Sequence, residues 1–122
     1  MKKQNRKKLA IAKFIQFVKR ELGFNKPFNV HLVTQRDASF KTYAFYNPQN
    51  FDVKVYVKNR GLADILRSIA HEFVHHKQNE DGRLEKPVQD VGGEIEDEAN
   101  ARSGSLVKKF GYENPDLKIY EY

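Results

Sequence analysis

The pentapeptide His71-Glu72-Phe73-Val74-His75 constrains this 122-residue chain more than any other stretch. It fits the pattern H-E-x-x-H, which makes a mechanical demand. Four residues on a helix turn through about 400°, bringing His71 and His75 to within about 40° of each other, one turn apart. Both imidazoles can then reach one metal ion. Glu72 falls about 60° from His75, near enough to touch a water at that ion and badly placed to be a ligand on the same stripe. The stretch therefore asks for a helix and reads as two ligands beside a general base. The plainer reading is a polar helix face with three ordinary side chains, and the rest of the chain has to decide.

The flanking residues supply the helix. For a helix over about 62–79, Leu62, Ile65, Leu66, Ile69, Phe73 and Val74 fall within one half of the wheel. His71 and His75 fall in the other half, with Asp64 and Ser68 on their side. The two histidines are thus not hidden among the apolar positions, which argues against both being core residues. His76 lies nearer the apolar edge and reads as a packing or hydrogen-bonding residue.

Around this helix the chain patterns as α+β. Residues 6–22 read as an amphipathic helix, with Leu9, Ala12, Ile15, Phe17, Val18 and Leu22 at helical spacing and Gly23 as its stop. Residues 28–34, 40–46 and 51–57 read as strands. The third is the clearest, since Phe51, Val53, Val55 and Val57 alternate with Asp52, Lys54 and Tyr56. Asn47-Pro48-Gln49-Asn50 has turn chemistry and joins the second and third strands as an antiparallel hairpin. Helical spacing resumes near Val88 or Val91 and runs to about Phe110, with Gly111 as a stop. The small residues Ala99, Ala101, Ser103, Gly104 and Ser105 let another helix, here the motif helix, come close. Residues 112–122 read as an added strand or a surface tail. The expectation is one domain over 1–122: an N-terminal helix, a small three-stranded, mainly antiparallel sheet, the motif helix and a second, glutamate-bearing helix.

Composition narrows the chemistry. The chain has no cysteine, so any metal must be held by nitrogen and oxygen. The net charge of +6 is mostly local: Lys2, Lys3, Arg6, Lys7 and Lys8 form a basic arm over 1–8, and without them 17 basic residues face 16 acidic ones. The arm reads as a solvated helix start before it reads as a phosphate-binding element, so nucleic acid is not the expected partner. No apolar run approaches the ~18 residues of a membrane span, and no signal-peptide pattern follows the basic start. The expected setting is cytoplasmic, without a membrane partner.

A catalytic metal site commonly takes three protein ligands. No histidine follows His76, and the positions three and six residues past His75 hold Gln78 and Asp81. The third ligand must then be a carboxylate. Glu94 and Glu98 share a helix face bordering Ile95, Ala99, Leu106 and Phe110, while Glu96 and Asp97 point elsewhere on that wheel. One of the pair is expected to reach the metal and the other to support it.

With these residues the chain resembles the zincin metallopeptidases of gluzincin type, which place a glutamate ligand on a second helix, commonly as Glu followed by Ala. Glu98-Ala99-Asn100 is similar to the Glu-Ala-Asn element of small ImmA/IrrE-type peptidase domains. The resemblance covers about residues 6–110. It implies one Zn2+ held by His71, His75 and Glu98, Glu72 as catalytic base, and hydrolysis of an extended polypeptide lying along an edge strand. Thermolysin-like gluzincins also carry an Asp four residues past the glutamate, where this chain has Arg102. An oxyanion donor is not singled out by spacing among Tyr43, Tyr46, Tyr56, Tyr112, Tyr120, Tyr122 and His31. Two other readings stay open: a zincin-fold binding module with a structural or vestigial metal, and a nucleic-acid-binding protein using the basic arm.

Overall fold

The computed structural model describes residues 3–35, 43–84 and 93–121. Three helices and a small sheet follow one another: α1 (Lys3–Leu22), β1 (Asn29–Val33), β2 (Ala44–Asn47), β3 (Asp52–Tyr56), α2 (Leu62–Glu80) and α3 (Glu94–Glu113), then two short 3-10 turns, Pro115–Leu117 and Ile119–Glu121. The architecture is α+β, as the patterning predicts. The expected start of the last helix near 88–91, and part of the second strand, lie outside the described residues.

The sheet corrects the expected topology. Its order is β1-β3-β2. β2 and β3 pair antiparallel, Tyr46 facing Val53, whereas β1 and β3 pair parallel, Val30 facing Val53. The sheet is therefore mixed, not mainly antiparallel. Val53 and Val55 are fully buried, which suits β3 to the centre. The short turn to β2 fixes one neighbour as a hairpin, leaving β1 the opposite edge. The turn is closed by the Phe51 N–H donating to the Asn47 carbonyl at 2.9 Å.

Arg60 sets the angle at which α2 leaves the sheet. Its buried guanidinium donates to the Tyr56 carbonyl at 2.7 Å, to Ser68 Oγ at 2.6 Å and, through Nε, to the Asp64 carboxylate at 2.9 Å. The end of β3 and the first two turns of α2 are thereby joined by one side chain. A buried cation paired and hydrogen-bonded in this way is tolerated in a core.

The buried face of α1 is turned relative to the expected stripe. Ala10, Ile11, Phe14, Phe17, Val18 and Leu22 are in the core, while Leu9 and Ala12 face out. The aromatic residues decide the phase: Phe14 and Phe17 bring their ring centroids to 5.1 and 5.3 Å from that of Phe110 on α3, distances typical of favourable aromatic pairs. Most of the basic arm is the start of this helix, and Lys7 donates to the Arg60 carbonyl at 3.3 Å.

α3 does not stop at Gly111 but runs on to Glu113. The segment beyond it is neither a strand nor a loose tail, since Leu117 and Ile119 are buried in the common core. Gly111 serves that packing: a Cβ there would meet Tyr120 and Ile119 at 3.1 and 3.2 Å. At Gly104 a Cβ would meet nothing within 4 Å. Gly104→Ala is therefore expected to stabilise the fold by about 0.5–1 kcal/mol through helix propensity alone, a rise of a few degrees in Tm. Gly111→Ala, crowding the tail, should give no such rise. Thermal unfolding of the two variants checks the pair.

Candidate metal centre

α2 and α3 pack side by side in opposite directions: His75 meets Glu96 near one end, and Arg67 and Gly104 line the same walls near the other. α2 is covered on two sides, by the sheet and α1 on its apolar half and by α3 on part of the other. Thus His75 is fully buried although the wheel places it off the apolar stripe, while His71 keeps 22% of its side chain exposed.

Between the two helices three ligand-type atoms converge. His75 Nε2 lies 2.8 Å from Glu96 Oε1, His71 Nε2 lies 3.3 Å from Glu96 Oε2, and the two Nε2 atoms are 3.1 Å apart. Among the described residues, His71, His75 and Glu96 are the group of metal-ligating side chains that converges in this way. A tetrahedral ion with ligand bonds of about 2.0–2.1 Å holds its ligand atoms about 3.3 Å apart. The triangle is close to that size.

The hydrogen bonds behind the triangle orient it. Gln78 donates its Nε2 to the Ile95 carbonyl at 3.1 Å and to Glu98 Oε1 at 2.9 Å. Its Oε1 therefore faces His75 Nδ1, 2.7 Å away, and accepts from it. The Nδ1–H tautomer leaves the His75 Nε2 lone pair pointing at a carboxylate oxygen, an acceptor facing an acceptor, which a metal ion between them or a proton on Nε2 makes favourable. Asn100, one turn beyond Glu96, lines the same cleft as His71 and acts to raise its pKa. Burial, then the neighbouring His75, hold His71 below its ordinary pKa against Glu96 and Asn100, which favours the neutral, ligating imidazole.

Glu72 sits beside this triangle. It is 4% exposed, and its Oε2 is a buried acceptor without a hydrogen-bond partner among the described residues. Burial first and Glu96 second push its carboxyl up to about 8. A buried carboxyl oxygen with no partner, lining the same cleft as His71 and Glu96, is a place for a polar ligand to be held.

Glu98, expected as the third ligand, is not at the histidines. Arg83 holds both its oxygens, at 2.9 and 3.1 Å, and Gln78 holds one. Those contacts keep its carboxyl below the usual carboxylate range, with the Gln78 bond the largest cause. Glu98 thus steadies the residue that steadies His75. Glu94, the other candidate, is exposed and outside the triangle. The reason is phase. Ile95, used to set the wheel, is only partly buried, whereas Ser103 is in the core with Ala99, Leu106, Val107 and Phe110. On that stripe the preceding position is Glu96, three residues before Ala99 and seven before Ser103. The signal was the pair Ala99 and Ser103, small residues four apart that are both buried.

His76 is a buried hydrogen-bonding residue. Its Nδ1 lies 2.7 Å from the Tyr46 hydroxyl and its Nε2 lies 2.9 Å from the Lys26 carbonyl. Tyr46 also accepts from Asn79 at 3.1 Å, and burial raises its phenol to about 12.

The centre opens into a cleft of about 700 Å³. One wall is formed by residues 43–46 of β2 and its approach; the others come from α2 and α3. β2 is an edge of the described sheet and β3 its centre, so the strand beside the cleft is β2. The tail after Pro115 does not line this cleft. No helix among the described residues is long and apolar enough to cross a membrane. The chain matches no family model, no curated protein and no solved structure.

Proposed function

We propose that the protein is a zinc-dependent peptidase of minimal gluzincin plan, hydrolysing an extended polypeptide laid in the cleft along β2. The observation that carries this reading is the triangle of His71 Nε2, His75 Nε2 and Glu96 carboxylate with the unpartnered Glu72 carboxyl beside it. Two neutral imidazoles and one carboxylate are the donor set of a catalytic zinc with an open position. His71, His75 and Glu96 would hold the ion. When bound, it supplies Lewis-acid polarisation of a carbonyl and a lowered pKa for water.

The chain's own residues do the rest. Glu72 takes a proton from the attacking water and passes it to the departing amine. Gln78 keeps the His75 imidazole turned with Nε2 toward the centre. Asn100 stands four residues beyond Glu96, the position that appears unsupported when Glu98 is taken as ligand. β2 offers the substrate a strand to align against. Of the candidate oxyanion donors, Tyr43 and Tyr46 line the cleft, and the Tyr46 hydroxyl is already engaged by His76 and Asn79.

Incubating the purified protein with an unfolded polypeptide and following fragments by mass spectrometry tests the reading. Cleavage is expected with zinc present, lost on chelation and restored by adding zinc back. Fragments that form equally in chelator would reject it.

A further inference from the structure

The cleft does not end at the metal centre. A second hollow of about 540 Å³ shares Arg67 and Gly104 with it and is lined further on by Lys108, Tyr112 and Tyr120. The two form one groove because of how α2 and α3 are phased. Glu96, Asn100, Gly104 and Lys108 follow at intervals of four along α3, and His75, His71 and Arg67 do the same, in the opposite direction, along α2. Such a stripe advances about 6 Å per step. The groove floor passes from the centre, over Gly104, to two cations.

Three features of this far end point to a ligand. Arg67 and Lys108 are exposed, and neither side chain makes a hydrogen bond or an ion pair among the described residues. This contrasts with Arg60, Arg83 and Lys109, all held by carboxylates. The nearby acid on α2, Asp64, is already taken by Arg60. Gly104 lies in a helix interior, where glycine is unfavourable by about 1 kcal/mol relative to alanine, and no neighbour forbids a side chain there. What its bareness provides is an unobstructed floor where the two hollows meet.

For a peptide paired antiparallel to β2, the direction of that strand sets which part of the substrate arrives there. β2 starts beside Arg60, whose guanidinium lies 4.6 Å from the Tyr43 ring centroid, and ends beside His76, bonded to Tyr46. A peptide lying antiparallel to β2 therefore runs from the His75 end toward Arg67. Its C-terminal side points at the cations. At about 3.4 Å per extended residue, Arg67, one step from His71 and two from His75, lies about two to three residues beyond the centre, and Lys108, three steps from Glu96, about five.

We infer that Arg67 and Lys108 form a carboxylate-binding subsite, selecting polypeptides with a negative charge two to five residues on the C-terminal side of the cleaved bond. This rests on the proposed peptidase reading for its register, while the charge recognition itself is a binding property. The carboxylate is supplied either by an internal Asp or Glu side chain or by the end of the chain. Tyr112 and Tyr120, both well exposed, wall the subsite with rings that favour extended chain over bulk solvent.

Binding of N-terminally labelled peptides of eight to ten residues to the zinc-loaded Glu72→Gln protein, read by fluorescence anisotropy at low salt, tests this. The first peptide carries Asp at the second and third positions after a central Phe-Leu bond and an amidated end. The second carries Asn at those positions. The third is the Asn sequence ending three residues after that bond with a free carboxylate. Either the Asp peptide or the free-ended one should bind about five- to tenfold tighter than the amidated Asn peptide, which names the source of the charge. The preference should fall to near unity in Arg67→Gln/Lys108→Gln and in high salt. No difference among the three peptides, absence of binding included, or a preference that survives the double substitution, overturns the inference. Cleavage of the same peptides by the wild-type protein is scored separately. A preference without cleavage removes the peptidase reading and keeps the subsite; cleavage without a preference does the reverse.

Discussion

Glu96→Ala is expected to abolish stoichiometric zinc binding, while Glu98→Ala retains it with weaker affinity. The geometry behind the contrast is direct. Glu96 brings one oxygen to 2.8 Å from His75 Nε2 and the other to 3.3 Å from His71 Nε2. Without it, two neutral imidazoles remain, and two nitrogens hold zinc far less well than a three-ligand set. Glu98 touches neither histidine. It accepts from Gln78, which orients His75, so its loss should act as an outer-layer change worth about 10–100-fold in affinity. Gln78→Ala should fall in the same range, and Glu96→Ala well beyond it. Titration against a competing chelator, with metal content of the purified variants, separates the cases. A Glu96→Ala protein that binds zinc as wild type, beside a Glu98→Ala protein that does not, would return the ligand role to Glu98.

That contrast also marks where sequence reasoning stopped. The spacing His71–His75 needs only local helix geometry, and it is realised in α2 with the two Nε2 atoms 3.1 Å apart. The identity of the third residue depends on the rotation of a different helix, which no local rule fixes. Ile95 looked like a core position and is only partly buried, in the first turn of α3, which begins at Glu94. Ser103 looked polar and is buried, because it lies where the two helices touch. A phase read from side-chain polarity is therefore least reliable at a close helix–helix contact, where small residues replace large apolar ones. The resemblance through Glu98-Ala99-Asn100 carried the same displacement, and of the two polar residues among them it is Asn100, not Glu98, that acts on the pKa of His71.

The sheet and the tail show the same division. The alternation of Val53 and Val55 with Lys54 and the turn at 47–50 made the β2–β3 hairpin legible, because both are near-neighbour effects. The parallel placement of β1 is a long-range choice, and Leu32 on that strand stays 44% exposed, so its hydrophobic pattern gave little indication of where it would pair. In the tail, Gly111 read as a helix stop. Its actual constraint is the approach of Ile119 and Tyr120, which comes from eight residues further along the chain.

Glu72→Gln is the second substitution with a large expected effect, and its value lies in what it leaves unchanged. Glu72 is no part of the triangle, so zinc stoichiometry should match wild type. The amide keeps the size of the carboxyl, and it has no charge to strip of water in a position only 4% exposed. The folded state should thus be at least as stable. Under the proposed function, turnover should fall by about 10²–10⁴-fold, the usual contribution of a positioned general base. KM should change little, because the residue acts on the water and leaving group and not on the strand-like contacts that hold the substrate. Metal content, thermal unfolding and steady-state kinetics on one preparation measure all three. If hydrolysis survives with the metal bound, the base is another residue and the reading of H-E-x-x-H fails at its glutamate. If zinc is lost together with activity, Glu72 supports the metal site itself, and its unpartnered oxygen has to be explained as a ligand atom instead of a proton carrier.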